Sequence, residues 1–315
     1  MRAPFHSVEA RAPGKIILAG EHAVVYDRPA LAVPVPSVQA RVQVRRAPAG
    51  FTLRAPDIGL TAALDDLPPA HPLRRAVDLT QAALQAAWPP LEVRIASSIP
   101  VAAGLGSGAA VTVALVRALA AFVGRALPPR QVNALAYEVE KLHHGTPSGI
   151  DNTVVTYARP IRYRKSRGWQ PLPVARAVPL VIADTGRAAP TREMVLGVRQ
   201  RWQAQPARYE ALFDAIADQV AAAQAALAAG DLPALGQALN ANHALLQALG
   251  VSTPELDALV NAARAAGAYG AKLSGAGGGG NMLAVTDATH QPAVAQALRA
   301  AGAARVLCTT LPPTP

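Results

Sequence analysis

An α+β fold in two domains is the class this sequence predicts, on three observations. The first hundred residues read mainly as short strands, and alanine-rich helical stretches dominate from Pro190 onward. Two glycine-rich turns, at 104–108 and 275–280, each follow a strand-like run. A chain of 315 residues can form one large core or two domains of ordinary size. The change of character sets the expected boundary near 179, giving domains 1–178 and 179–315.

Taken in order, the runs 8–11, 16–18, 31–34, 38–45 and 51–54 are β-branched or alternate apolar with polar residues, so each is expected as a strand. A helix fits 72–87 and stops at Trp88-Pro89-Pro90. A strand at 91–96 leads through Ser97-Ser98 and Pro100 into the first glycine turn and a long apolar helix with no breaker before Gly124. Pro128-Pro129 open a helix over about 130–143, and 144–151 is turn chemistry. Polar, strand-like segments fill 160–184, with 180–183 a buried strand. Helices are expected over about 191–203, 206–229, 231–248 and 254–267, with Gly230, Gly250 and Gly267 as caps or breakers. Strands at 270–273, 281–286 and 304–310, with a helix at 291–301, complete the chain.

Composition narrows the function classes. Half the residues are hydrophobic, as in a folded globular protein, and the net charge of +10 suits anionic ligands. Its arginines are scattered and show no aromatic-interleaved groove, which argues against nucleic acid. Only four of the thirty basic residues are lysines (Lys15, Lys141, Lys165, Lys272), so each draws scrutiny. The single cysteine, Cys308, excludes an intramolecular disulfide and a cysteine zinc site, and its apolar surroundings predict burial. With no apolar leader at the N-terminus and no run long enough to span a membrane, a cytoplasmic protein is expected.

The chain is organised around Gly104-Leu105-Gly106-Ser107-Gly108 and the helix after it. Glycines let backbone N–H groups converge, and a helix N-terminus adds about half a positive charge. Together they can hold phosphate by main chain alone. The loop lacks the Lys-Ser/Thr ending of the common P-loop. It also fits the G-x-G-x-x-G/A pattern of dinucleotide sites, but no acidic residue stands in 124–131, about where that pattern needs one. Phosphate holding, dinucleotide binding and a plain turn all remain open on this stretch alone.

Three further clusters carry charge. Lys15 follows Ala12-Pro13-Gly14 and precedes Gly20-Glu21-His22. It is either a solvated strand-edge ammonium or a fixed charge facing a transferred phosphoryl group. Glu140 and Asp151 are either a solvated helix carboxylate and a helix N-cap, or one carboxylate for magnesium and one for a substrate hydroxyl. His143 and His144 point about 100° apart on a helix and cannot easily share a metal ion. Lys272-Leu-Ser-Gly-Ala-Gly-Gly-Gly-Gly-Asn281 is either a hairpin loop or a second surface for close approach of a ligand.

In this order the segments resemble the GHMP small-molecule kinase superfamily, and within it the mevalonate kinase family. Ala12-Pro-Gly-Lys15 through Gly20-Glu-His-Ala-Val-Val25 is similar to that family's first motif, and residues 103–110 to its phosphate loop. His144-Gly-Thr-Pro-Ser-Gly-Ile-Asp151-Asn152 resembles the segment that carries its catalytic aspartate. Asp184-Thr-Gly with Pro190-Thr-Arg-Glu is also similar, and Lys272 through Gly280 resembles the third motif. The likeness runs from about residue 9 to 286.

The resemblance implies a two-domain GHMP kinase fold. Its N-terminal domain is a mixed sheet with helices, like domain 2 of ribosomal protein S5, and its C-terminal domain is ferredoxin-like with extra helices. It implies ATP-dependent phosphorylation of the 5-hydroxyl of mevalonate with Mg²⁺. Asp151 would be the base and Lys15 the electrostatic stabiliser. Glu21 and His22 would lie near the substrate. Ala103, Gly104, Leu105, Gly106, Ser107 and Gly108 would bind ATP with Gly275, Gly277 and Gly278. Glu140 would hold Mg²⁺. The family often shows a second serine where this chain has Gly108, a common magnesium ligand, so that contact moves to Ser107 or to water. A homodimer is common among such kinases. Rival readings are a GHMP kinase with a homoserine, sugar or phosphomevalonate acceptor, a diphosphomevalonate decarboxylase, an NAD-dependent oxidoreductase and an inactive sensor of the same fold.

Overall fold

The structure, a computed structural model, describes residues 7–100, 104–144, 147–187 and 191–314. Two compact units divide the chain: Met1–Gly14, Val38–Pro100 and Gly106–Ala158 form the first, and Lys15–Ser37, Val101–Leu105 and Arg159–Pro315 the second. Two long strands, β1 (Ser7–Ala19) and β2 (Ala30–Arg46), each contribute to both.

In the first unit, the later half of β2 pairs antiparallel with β5 (Leu91–Ser97), from Ala40 opposite Ser97 to Arg46 opposite Leu91. Strand β3 (Phe51–Ala55) runs parallel to β5, and β4 (Leu60–Ala63) closes antiparallel on β3. The alternation read in the sequence is the pleat: Val38, Ala40, Val42 and Val44 are buried while Arg41, Gln43 and Arg45 are exposed. Four helices follow: α1 (Pro72–Leu84), α2 (Ser107–Phe122), α3 (Pro129–His144) and α4 (Ile150–Tyr157). Helix α2 packs on α1, α3, α4 and β5. That placement explains its sequence: alanine and valine nearly all round, buried from Ala109 to Phe122 on most positions. Each of Leu115 and Leu119, fully buried, contributes about 1.5–3 kcal/mol. The helix's one charge, Arg117, donates to the Thr156 carbonyl on α4.

The second unit holds the early half of β2, paired with β6 (Ile161–Arg164), which forms a hairpin with β7 (Gly168–Pro171). It also holds an antiparallel sheet in the order β11 (Arg305–Leu311), β8 (Val178–Asp184), β10 (Asn281–Val285), β9 (Gly270–Ser274). Helices α5 (Thr191–Ala204), α6 (Pro206–Ala229), α7 (Leu232–Ala248), α8 (Pro254–Ala265) and α9 (Gln291–Ala300) complete it. Its core joins Phe213, Leu246, Val260, Leu273, Met282 and Leu298. The expected cap at Gly230 is left-handed, with φ 71°. Asp231 and Thr253 cap α7 and α8 through side-chain oxygens, with proline at the second helical position of α7 (Pro233) and at the first of α8 (Pro254).

Four expectations are corrected. The runs 8–11 and 16–18 are one strand, and so are 31–34 and 38–45. Prolines 13, 34 and 36 are compatible with extended backbone and remove a donor without ending the strand. Residues 150–157, given no element in the sequence, form α4. Its β-branched run Thr153-Val-Val-Thr156 lowers helix propensity, and burial of Ile150, Val154 and Val155 overrides it. Asp151 is therefore not an N-cap: Gly149 takes that position, and Asp151 lies in the first turn. Cys308 is exposed rather than buried, on the strand that forms one edge of its sheet.

Candidate active site

In the first unit the helix that follows the glycine turn begins at Ser107, with Gly106 at its N-cap in left-handed conformation (φ 73°). Gly106 has no side chain with which to cap the helix. Glu140, on the last full turn of α3, is only 6% exposed, so it is not the solvated helix carboxylate of the simpler reading. Its Oε1 lies 3.4 Å from where a Cβ on Gly108 would stand. A buried carboxylate thus faces the first turn of α2 where the glycine turn ends. Among the described residues no cluster of three or more His, Cys, Asp and Glu could hold a metal ion. Mg²⁺ asks for less, one or two carboxylates completed by phosphate oxygens and water, and the buried Glu140 carboxylate facing Gly108 fits that donor set. The side chains of His143 and His144 lie outside the described residues, as does Ala103.

Asp151 is partly exposed between two buried neighbours. Ile150 enters the core, and Asn152 donates through Nδ2 to Asn133 Oδ1 on α3 at 2.6 Å. The Thr153 hydroxyl donates to Gly149 O at 2.6 Å. These contacts fix the first turn of α4 and so the position from which the Asp151 carboxylate projects.

In the second unit Lys15 lies inside β1, 4% exposed, not at a solvated strand start. Its backbone N–H donates to Leu105 O at 2.9 Å, which pins the first glycine turn to β1. Gly104 (φ 71°) is exposed and sits beside the Asn281 amide, 3.8 Å from its own hypothetical Cβ. Glu21 and His22, immediately after β1, are buried at 1% and 5%. His22 Nε2 contacts Ala276 O at 2.8 Å in the second glycine turn. A carbonyl only accepts, so Nε2 carries the proton and Nδ1 keeps its lone pair. Burial pushes the His22 pKa down to about 4, against the pull of that carbonyl, so the ring is neutral.

Glu21 accepts from the Lys272 ammonium, a pairing across 251 positions that sequence reading did not find although it marked both segments. Burial raises the Glu21 pKa and lowers that of Lys272, while their mutual attraction opposes both shifts. His243, also missed, accepts at Nδ1 from Leu273 N–H (3.3 Å) and faces Asp257 at 3.1 Å through Nε2. Neither His243 nor Asp257 stands in a segment with a glycine or motif signal, so nothing local marks them.

The second glycine turn divides by environment. A Cβ on Gly275 would meet nothing within 4 Å, whereas one on Gly277 would lie 2.0 Å from Val251 O. Gly278 donates its N–H to that same carbonyl at 2.9 Å. Close approach to Val251 therefore requires glycine at 277, and open space surrounds 275.

Both glycine turns belong to a chain whose sequence places it in one enzyme class. The sequence models of the GHMP kinases N terminal domain and of the GHMP kinases C terminal region match residues 71–159 and 223–304. The chain belongs to the GHMP kinases, enzymes that use ATP, and has their two-domain α+β fold. Within them it is similar to the mevalonate kinases. That of Pyrococcus horikoshii is 38% identical over 94% of this chain and 93% of its own length. That of Thermococcus gammatolerans is 38% identical over the same shares. The crystal structure of L. major mevalonate kinase in complex with R-mevalonate superimposes with a TM-score of 0.86 at 31% identity, covering 100% of this chain and 99% of that one. Among the described residues no helix is long and apolar enough to cross a membrane.

Proposed function

We propose that this chain is a mevalonate kinase, transferring the γ-phosphoryl group of ATP to the 5-hydroxyl of mevalonate. The observation that carries the reading is 38% identity to a mevalonate kinase along nearly the whole of both chains. Phosphoryl transfer needs positioning and charge neutralisation more than covalent chemistry. Asp151 takes the proton of the attacking hydroxyl, and the Lys15 ammonium stabilises the developing alkoxide. Backbone N–H groups of 104–108 hold the nucleotide phosphates, with Ala103 before them and Gly275, Gly277 and Gly278 closing on the nucleotide. Glu21 and His22 face the acceptor.

Glu140, with Ser107, would hold Mg²⁺, supported by the buried carboxylate facing Gly108. The chemistry Mg²⁺ supplies when bound is neutralisation of the β- and γ-phosphate oxygens. The same reading divides the chain at 178/179, makes it a cytoplasmic enzyme and is compatible with a homodimer.

A panel of alcohols with MgATP tests this, read by ADP release. Release with mevalonate and none above background with homoserine, galactose or phosphomevalonate is expected. Release with one of those and none with mevalonate replaces the acceptor.

A further inference from the structure

Lys272 has no exposed surface at all, in the middle of β9, and its ammonium reaches the Glu21 carboxylate and the Leu273 carbonyl. A buried ion pair of this kind is seldom more stable than an apolar pair of the same volume, so its presence calls for another use. Its attachment supplies one.

Glu21 opens a γ-turn. Ala23 N–H donates to Glu21 O at 2.7 Å, and the central residue, His22, has φ 60° and ψ −49°. That conformation is rare and strained for a residue with a side chain, and it persists only where surrounding contacts over-determine it. Here they do. Before the turn, Gly20 is crowded, because a Cβ there would lie 2.5 Å from Pro29 O. Behind it, Ser274 Oγ donates to Ile17 O at 2.8 Å and ties β9 to β1. After it, Tyr26 stacks on Phe213 with centroids 4.1 Å apart. At its centre, His22 Nε2–H is spent on Ala276 O. The Lys272–Glu21 contact is the ionic link that holds the first corner of the turn to the strand leading into the second glycine turn.

We propose that Lys272 is a positioning residue for the acceptor alcohol: through Glu21 it holds the strained turn that presents His22 Nδ1 as a hydrogen-bond acceptor to a substrate hydroxyl. The proposal rests on the kinase reading above and deepens it, adding a residue that never meets the substrate. Lys272→Met removes the ammonium and ends the side chain at the ε position with little change in volume, and the turn then loses its ionic link. Acceptor kcat/KM falls about 100-fold while the KM for ATP stays within about threefold.

The test pairs kinetics with the ¹⁵N spectrum of the His22 imidazole, which reports tautomer and protonation without turnover. In wild type the Nε2–H tautomer persists below pH 6; in Lys272→Met it is lost. The double variant Lys272→Met/Glu21→Leu removes both buried charges, so its melting temperature returns toward wild type while acceptor kcat/KM stays low. Recovery of melting temperature and acceptor kcat/KM together would reduce the pair to a structural filler and overturn the proposal. So would an unchanged His22 spectrum in Lys272→Met. Should Lys272→Met not fold, Glu21→Gln, which keeps an oxygen for the ammonium, is expected to retain the His22 spectrum; loss of it overturns the proposal. If wild type fails to phosphorylate mevalonate, the functional reading falls while the His22 spectra still decide the role of Lys272.

Discussion

The Glu140 carboxylate faces Gly108, with Oε1 3.4 Å from the point where a Cβ on Gly108 would lie. A buried acid at the first turn of α2 is favourably placed against the helix dipole if a cation or the helix N–H groups share the space. Gly108 has helical backbone, so a side chain there meets no strain beyond that contact. Gly108→Ser restores the hydroxyl that the family often carries. The Mg²⁺ concentration for half-maximal activity should fall about threefold or more, and the helix should gain about 0.5 kcal/mol over glycine. A Mg²⁺ titration at fixed ATP checks it; an unchanged midpoint separates Gly108 from the metal.

Asp151→Asn keeps the volume of the side chain and removes the base. Turnover should drop by about 10³-fold or more while nucleotide binding changes little. Single-turnover rates and nucleotide titration separate the two effects. Near-normal turnover removes Asp151 from proton transfer.

Two buried histidines make stability fall in mild acid. Burial holds both His22 and His243 near pKa 4, while the unfolded chain titrates near 6.5. Between those values the unfolded state takes up protons that the folded state refuses, so stability declines as pH falls from about 6.5 toward 4. Glu21, whose carboxyl burial holds above the usual range, acts with the opposite sign. In melting temperatures followed from pH 7 to 5, His243→Gln should show a shallower decline than wild type. A parallel decline would mean that His243 protonates freely in the folded protein.

The two open and crowded glycines of the second turn give a contrasting pair. Gly277→Ala places a methyl 2.0 Å from Val251 O at φ 76°, and should cost about 3 kcal/mol or more. Gly275→Ala meets no neighbour, so only the positive φ is strained, at about 1 kcal/mol. Urea unfolding of both variants checks the order; equal costs would mean that the turn relaxes away from Val251.

Much of this was legible in the sequence. Periodicity placed a helix over 72–87 where α1 spans Pro72–Leu84, and alternation placed a strand over 91–96 where β5 spans Leu91–Ser97. Glycine and proline marked the ends of α6 and α7 because those residues act through local backbone geometry. Lys15, Glu140 and Lys272 stood out as charges beside turn residues, and their burial is what distinguishes them from surface charges. What escaped depends on distance along the chain. The Lys272–Glu21 contact joins residues 251 positions apart, and no local pattern encodes such a pairing. Helix α4 escaped because its β-branched residues favour strand locally and become helical only by burying Ile150 and Val154. Cys308 misled because an apolar run on an edge strand buries only one face.

The most direct test is the product itself. Purified protein with MgATP and R-mevalonate, followed by ³¹P NMR, should give a phosphate monoester coupled to the C5 methylene protons, in step with ADP. ADP with inorganic phosphate alone, or no turnover while a sugar or homoserine is phosphorylated, would contradict the account.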